Sequence, residues 1–285
     1  MSRFLVLGSA GFPVVAYCFQ ASMLRFAGLD ASSIQWWCEV VLCTTLLLCV
    51  ESLYFLTAFT SPGVPNGVGV KSIRSTVGTQ DKQCRKCEAL KPPRTHHCST
   101  CARCVLRMDH HCPFVNSCIG LMNLRFFVLW ILSVALGAFY AALRSKDPFF
   151  CCFWDRRGLV TESLLAHNCA ALGDAVLGFV VSLCVFAVMV LLGTWHLILI
   201  ALDRTTIEFY RHTVQPVLQG EAVNLKPAPR GSLKNNFELV FFPTVERFQS
   251  LSLMRDEPTS EILVTTDGCV HRMRTETTAS ADAHV

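Results

Sequence analysis

The chain carries little charge: 16% of its 285 residues are Asp, Glu, Lys or Arg, against 52% hydrophobic. Its mean hydropathy is +0.42. Soluble domains carry about 25% charged residues, so that class is excluded for most of the length. The net charge is only +4 and no basic patch with interleaved aromatics occurs, so nucleic acid is not an expected partner. No self-similarity at a period of 20–50 residues is present, which speaks against repeat arrays.

What is abundant is apolar sequence in long runs. Crossing a bilayer takes about 20 apolar residues. Residues 4–24 carry no charge, with Pro13 as a kink point, and residues 36–59 are interrupted only by Glu39 and Glu51. Residues 126–143 are charge-free, and residues 175–202 hold a single ionisable group, His196. Four transmembrane helices are expected. A cleaved leader is the alternative for the first run, and the loop between the second and third runs keeps its side either way. Ionisable groups inside a span are functional by default, and Glu51 and His196 are candidates either to pair or to face water.

Lys and Arg set the orientation. Residues 60–125 contain ten, the tail from residue 203 nine, and the connections 25–35 and 144–173 one and four. Both termini and the 60–125 loop are therefore expected in the cytosol. Ser61-Pro62-Gly63 marks the end of the second span. Residues 244–285, polar and Ser/Thr-rich, are expected to lack order.

Sixteen cysteines would suit a disulfide scaffold, but seven of them crowd between Cys84 and Cys118 beside four histidines. A reducing cytosol does not sustain disulfides. Zinc, bound tetrahedrally by thiolate and imidazole, explains such a cluster, and Cys-x2-Cys is its common chelating turn. Two closed sites need eight ligands, and the loop offers eleven Cys and His, so three are surplus. Cys112 lies outside any Cys-x2-Cys unit and beside an Asp-His pair, and Cys118 also lies outside one. Spacing leaves open which thiol is free. It also leaves open a purely structural double-zinc module, as in ring-type ubiquitin ligases or a partner-binding scaffold.

Residues 84–127 resemble the DHHC-type protein S-acyltransferases, or palmitoyltransferases. The match runs through Cys84-x2-Cys87, Lys91-Pro92-Pro93-Arg94-x-His96-His97-Cys98, Cys101, Cys104 and Asp109-His110-His111-Cys112-Pro113. It continues through Asn116, Cys118, Gly120, Asn123 and Phe126-Phe127. Ser61-Pro62-Gly63, Thr205-Thr206-x-Glu208 and Asn236-x3-Val240-Phe241 resemble the outlying motifs. Ser61, Phe114, Ser117 and Phe242 depart from the family's usual Asp, Trp, Asn and Gly.

The resemblance implies an α-helical integral membrane enzyme with four spans and a cytosolic Cys-rich loop around two structural zincs. One zinc would take Cys84, Cys87, His97 and Cys104, and the other Cys98, Cys101, His111 and Cys118. Cys112 would be the nucleophile, His110 its base and Asp109 the residue orienting the base, with His96 left free. Thr206, Glu208 and Asn236 would give structural support. Acyl-CoA, such as palmitoyl-CoA, would be the donor. Cysteines of cytosolic protein surfaces would be the acceptors, and a thioester on Cys112 the intermediate. Arg94, Arg103, Arg107 and Arg125 are candidates for the CoA phosphates. The expected organisation is 1–59 (two spans), 60–125 (zinc loop), 126–202 (two spans and a luminal loop), 203–243 (cytosolic segment) and 244–285 (tail). The protein is expected in an endomembrane, Golgi or endoplasmic reticulum, or in the plasma membrane. Small residues Ala135, Gly137 and Ala138 in the third run either leave depth for an acyl chain or let helices pack closely.

Overall fold

The computed structural model describes residues 33–65, 82–88, 90–155, 172–219, 232–244, 262–264 and 270–272. Among these, three helices are long and apolar enough to cross a membrane: Ile34–Phe59, Leu124–Asp147 and Gly178–Ala201. The expected first span, residues 4–24, lies outside the described residues.

Helix α1 (Ile34–Phe59) starts at Ser33, whose side chain accepts from the Trp36 N–H at 3.2 Å, satisfying one of the orphan donors of a helix start. Its 26 residues at about 1.5 Å each exceed the hydrocarbon thickness of about 30 Å. It stops at the Ser61-Pro62-Gly63 turn, where Gly63 has φ +96°, a conformation that suits glycine.

Helix α2 (Leu124–Asp155) and helix α3 (Leu172–Ala201) run antiparallel. Their ring pairs are Phe139–Phe186 at 5.2 Å and Phe149–Phe179 at 4.7 Å. Gly193 brings α3 so close that an added Cβ would lie 3.2 Å from Leu132. Helix α2 runs well past the expected end at residue 143. Its extension begins with Arg144, which pairs at 3.3 Å with Glu39 of α1; Tyr140 also donates to Glu39. These bonds give the charge inside α1 a partner and tie the ends of α1 and α2 farthest from the zinc-ligand loop. At Gly137 an added Cβ meets nothing within 4 Å among the described residues, so none of the described helices packs closely there. Leu48, Leu136, Val188 and Leu191 lie exposed on the outer faces, an apolar area that only a bilayer or a partner covers stably.

The Cys-rich loop forms three antiparallel two-stranded ribbons. Strand β1 (Lys82–Gln83) pairs with β2 (Leu90–Lys91), β3 (His96–Cys98) with β4 (Arg103–Val105), and β5 (His110–Cys112) with β6 (Ser117–Ile119). The loop is anchored on the end of α1. The Leu106 N–H donates to the Gly63 carbonyl at 2.9 Å, and Met122 N–H to the Pro62 carbonyl at 3.3 Å. Gly120 sits in this seam, where a Cβ would lie 2.6 Å from Val105 and 2.7 Å from the Pro62 carbonyl oxygen. Asn123 spans the same seam, donating to the carbonyls of Thr57 and Cys118.

After α3 come a short α4 (Thr206–Phe209), a π-helical segment (Tyr210–Val214), α5 (Gln215–Leu218) and α6 (Leu233–Phe241). Asn236 of α6 donates to the Ala201 carbonyl at 2.8 Å, satisfying an acceptor at the end of α3. Ile262–Val264 pairs antiparallel with Val270–Arg272; most of residues 244–285, where order was not expected, lie outside the described residues.

Candidate active site

Side chains alternate faces along a strand, and this alternation sorts the ligands. In β3, His97 points one way and His96 and Cys98 the other. His97 lies opposite Cys104 in the β3–β4 ribbon, and His111 opposite Cys118 in the β5–β6 ribbon. Each pair meets a Cys-x2-Cys turn from the preceding segment. The result is two groups, Cys84, Cys87, His97, Cys104 and Cys98, Cys101, His111, Cys118, each with its ligand atoms within 4.8 Å of one another.

Both groups fit a zinc ion. At bond lengths of about 2.3 Å for sulfur and about 2.0–2.1 Å for nitrogen, a tetrahedral site has S···S edges of roughly 3.8 Å and S···N edges of roughly 3.6 Å. In the first group Cys84, Cys87 and Cys104 Sγ lie 3.7, 3.1 and 3.9 Å from His97 Nδ1, and Cys87 and Cys104 Sγ are 3.7 Å apart. In the second, Cys98, Cys101 and Cys118 Sγ lie 3.7, 3.4 and 3.7 Å from His111 Nδ1. Burial, then Cys84 and Cys87, push the Cys104 thiol up to about 12, so it keeps its proton unless a cation among the sulfurs favours the thiolate.

The two ligand sets have identical spacing, offset by 14 residues: 84, 87, 97, 104 and 98, 101, 111, 118. The backbone repeats too. Glu88 and Ala102, each following a Cys-x2-Cys turn, have φ of +51°. A further step of 14 reaches Cys112, Val115 and Asn116, and Asn116 has φ +48°. Cys112 therefore opens a third turn of the same kind whose second cysteine is Val115. Amide groups two and three residues on face the sulfur in each copy: Lys86 and Cys87 at Cys84, Thr100 and Cys101 at Cys98, Phe114 and Val115 at Cys112.

In β5 the alternation turns His111 to the metal-ligand face and puts His110 and Cys112 together on the other. His110 Nδ1 is 2.7 Å from Asp109 Oδ2, so a hydrogen on Nδ1 leaves Nε2 for the thiol. Burial works against charge at His110, yet hydrogen bonds with Asp109 and Cys112 outweigh it and carry the imidazole up to about 9. Burial likewise opposes the Cys112 thiolate, but His110 and the Val115 and Phe114 amides bring the thiol below its ordinary value. Asp109 is buried too, yet its hydrogen bond with His110 and the nearby His196 ring hold its carboxyl well below the usual carboxylate range. Cys112 is 4% exposed and packs among Val115, Ile119, Leu124, Phe127, Val128, Ile131, Ile200 and Val240. The Cys112 thiol thus sits where the ribbons meet the apolar ends of α2, α3 and α6.

A family model described as DHHC palmitoyltransferase matches residues 78–213. Probable protein S-acyltransferase 14 of Arabidopsis thaliana is 33% identical over 229 residues, 72% of this chain and 72% of that protein. The chain belongs to the DHHC palmitoyltransferase family. Probable protein S-acyltransferase 13 of Arabidopsis thaliana is 34% identical over 69% of this chain and 66% of its own length. Palmitoyltransferase ZDHHC7 of Rattus norvegicus is 39% identical over 49% of this chain. The chain spans less than two thirds of these last two, 66% and 47% of their lengths.

One of the outlying DHHC-family motifs, Thr205-Thr206-x-Glu208, reaches Asp109. Thr206 donates to it twice, from its N–H to Oδ1 and from its hydroxyl to Oδ2, both at 2.8 Å. Thr206 is held by a capping box in which Thr205 and Glu208 bond each other's backbone N–H. Glu208 in turn accepts two bonds from Arg94, at 2.7 and 2.9 Å, and Arg94 also forks onto Asp203 at 3.0 Å. Arg107 joins at Asp203, 3.0 Å away. This corrects two phosphate candidates: the Arg94 and Arg107 side chains are 7% and 0% exposed and bound to carboxylates, so neither is available to an anion from solution. Arg125 lies over Phe126 and donates to the Phe241 carbonyl, while the Arg103 and Arg125 side chains remain part-exposed.

His196 is the residue the sequence placed wrongly. It faces Asp109, not Glu51, with Nε2 3.6 Å from Oδ2. Tyr54 of α1 was not singled out at all; its hydroxyl donates to the Phe114 carbonyl at 3.2 Å, pinning the turn after Cys112. No spacing rule links Tyr54 to a residue 60 positions on. His96, free of both ligand groups, is pushed down to about 4 by burial and then by Arg211 and Lys91.

Proposed function

We propose that this chain is a protein S-acyltransferase that takes a long acyl group from acyl-CoA onto Cys112 and passes it to cysteines of other proteins. The observation that carries this reading is the buried Asp109–His110–Cys112 arrangement at the apolar ends of the helices.

In the first step the Cys112 thiolate attacks the thioester carbonyl carbon. The new S–C bond forms, the bond to the CoA sulfur breaks, and CoA leaves with the proton held by His110. In the second step the acceptor thiol gives its proton to His110, its sulfur takes the acyl carbon, and Cys112 returns as thiolate. One thioester replaces another each time, so the barrier rather than the equilibrium is what the protein must change. Asp109 keeps the His110 tautomer and balances its charged form, as in other acid–base triads. Zinc held by the two Cys3His groups would supply structural closure, each site having all four positions filled by protein.

The apolar surroundings of Cys112 support a lipid chain as the transferred group. Each CH2 moved from hydrocarbon to water costs about 0.8 kcal/mol, so the chain stays among the helices and the thiolate comes to it. The excess of Lys and Arg in residues 60–125 supports a cytosolic ribbon layer, with both termini in the cytosol and four spans. The partners are then the bilayer, acyl-CoA and cytosolic cysteines of membrane-apposed proteins. Arg103 and Arg125 remain as candidates for the CoA phosphates. The open space at Gly137 supports an acyl chain reaching that depth, and Gly137→Phe should shift preference toward shorter donors.

The test is purified protein with labelled palmitoyl-CoA. Label on the enzyme that hydroxylamine releases, and that transfers to a cysteine peptide, supports the reading. An intact protein with two zincs and no label refutes it.

A further inference from the structure

His196 lies within α3, 4% exposed. Its Nδ1 is 2.9 Å from the Leu192 carbonyl oxygen. A carbonyl oxygen only accepts, so the hydrogen is on Nδ1. That assignment determines what Nε2 presents to Asp109 Oδ2, 3.6 Å away. A carboxylate oxygen only accepts, so this contact is attractive where Nε2 carries a hydrogen. Nε2 has no closer hydrogen-bond partner, and a buried nitrogen without one is destabilising. Asp109 thus stands between two imidazoles, His110 at 2.7 Å and His196 at 3.6 Å. Phe127 packs edge-on against both rings, 5.2 Å from each, and the two rings are 6.0 Å apart. His196 reaches the carboxylate without touching the thiol.

The geometry points to His196 as a positioning residue for acyl transfer: its Nε2–H holds Asp109 from the membrane side, as Thr206 holds it from the other, and so aims the His110 ring at Cys112. The inference rests on the acyltransferase reading. It assigns a span residue to the chemical step, not to donor binding; His196 belongs to neither of the two Cys3His groups. Thr206 holds both carboxylate oxygens from one side and leaves the membrane side of Asp109 to His196. The His110 tautomer follows the carboxylate.

The test compares full-length wild type, His196→Leu, His196→Gln and Cys112→Ser in detergent. The readouts are single-turnover self-acylation across a palmitoyl-CoA series, and zinc per chain. Leucine fills the space without a donor, while glutamine carries an N–H to about the same reach. The maximal rate of His196→Leu should fall about ten-fold or more, within the range of an acid–base contribution, with half-saturation and zinc content at wild-type values. His196→Gln should recover most of the rate. A His196→Leu rate within two-fold of wild type, an altered half-saturation at unchanged maximal rate, lost zinc, or a glutamine variant no better than leucine each overturns the assignment. Unlabelled wild type would instead sink the acyltransferase reading, and this assignment with it.

Discussion

Cys98 and Cys112 occupy equivalent places in consecutive copies of one 14-residue unit, yet their surroundings differ. Both follow a His-His pair on a strand, both receive amides from the two and three positions beyond, and both precede a left-handed residue, Ala102 or Asn116. Cys98 has Cys101 three residues on, and a facing His111–Cys118 pair completes four ligands. Cys112 has Val115 three residues on, and a further step of 14 brings Arg125 and Leu132 where a histidine and a cysteine would stand. Its sulfur therefore has donors but no metal partners. A turn that favours a thiolate supports a zinc site when four ligands meet, and a nucleophile when one is left alone beside an imidazole. The difference lies in neighbours, not in the turn.

The largest effect that would sharpen this contrast is at Cys98. Cys98→Ser should drop zinc from about two to about one per chain and unfold the ribbon layer, because a structural zinc contributes on the order of 10 kcal/mol to such modules. Elemental analysis with a melting curve checks it, and a variant retaining two zincs would break the equivalence. Next comes Arg94→Met, which acts on the third copy by removing the fork between Glu208 and Asp203, while Arg107 still holds Asp203. Removing one partner from a buried ion-pair network costs up to about 3–5 kcal/mol, so thermal stability and self-acylation should both fall while zinc stays near two. Loss of zinc there would mean the network serves the metal groups instead. The smallest effect is at Asn116. Asn116→Gly suits the left-handed backbone, whereas Asn116→Val meets a penalty of about 1–2 kcal/mol there. Self-acylation should be retained in the first and reduced in the second, with zinc unchanged in both.

Much of this was legible in the sequence, in parts of different kind. Apolar runs marked three described spans, although Arg144 and Lys146 suggested an end near residue 143 where α2 continues to Asp155. Strand alternation sorts His110 from His111, but choosing eight ligands out of eleven relied on the family resemblance. The 14-residue register was present all along; carried by four residues per copy, it leaves composition unchanged. Partners remote in sequence were not legible. Arg94 and Arg107 look like a solvated positive face until Asp203 and Glu208, some hundred residues on, are folded against them. His196 looked toward Glu51 because a span's rotation is set by packing that a single chain of letters does not contain.

The central claim is that Cys112 is the thiol left outside both metal groups and the one that carries the acyl chain. Purified Cys112→Ser, incubated with labelled palmitoyl-CoA and assayed in parallel for zinc, tests both halves in one sample. The account predicts about two zincs per chain, as eight ligands at four per site require, and no hydroxylamine-sensitive label. A variant that loses a zinc, or that still takes up the thioester, contradicts it.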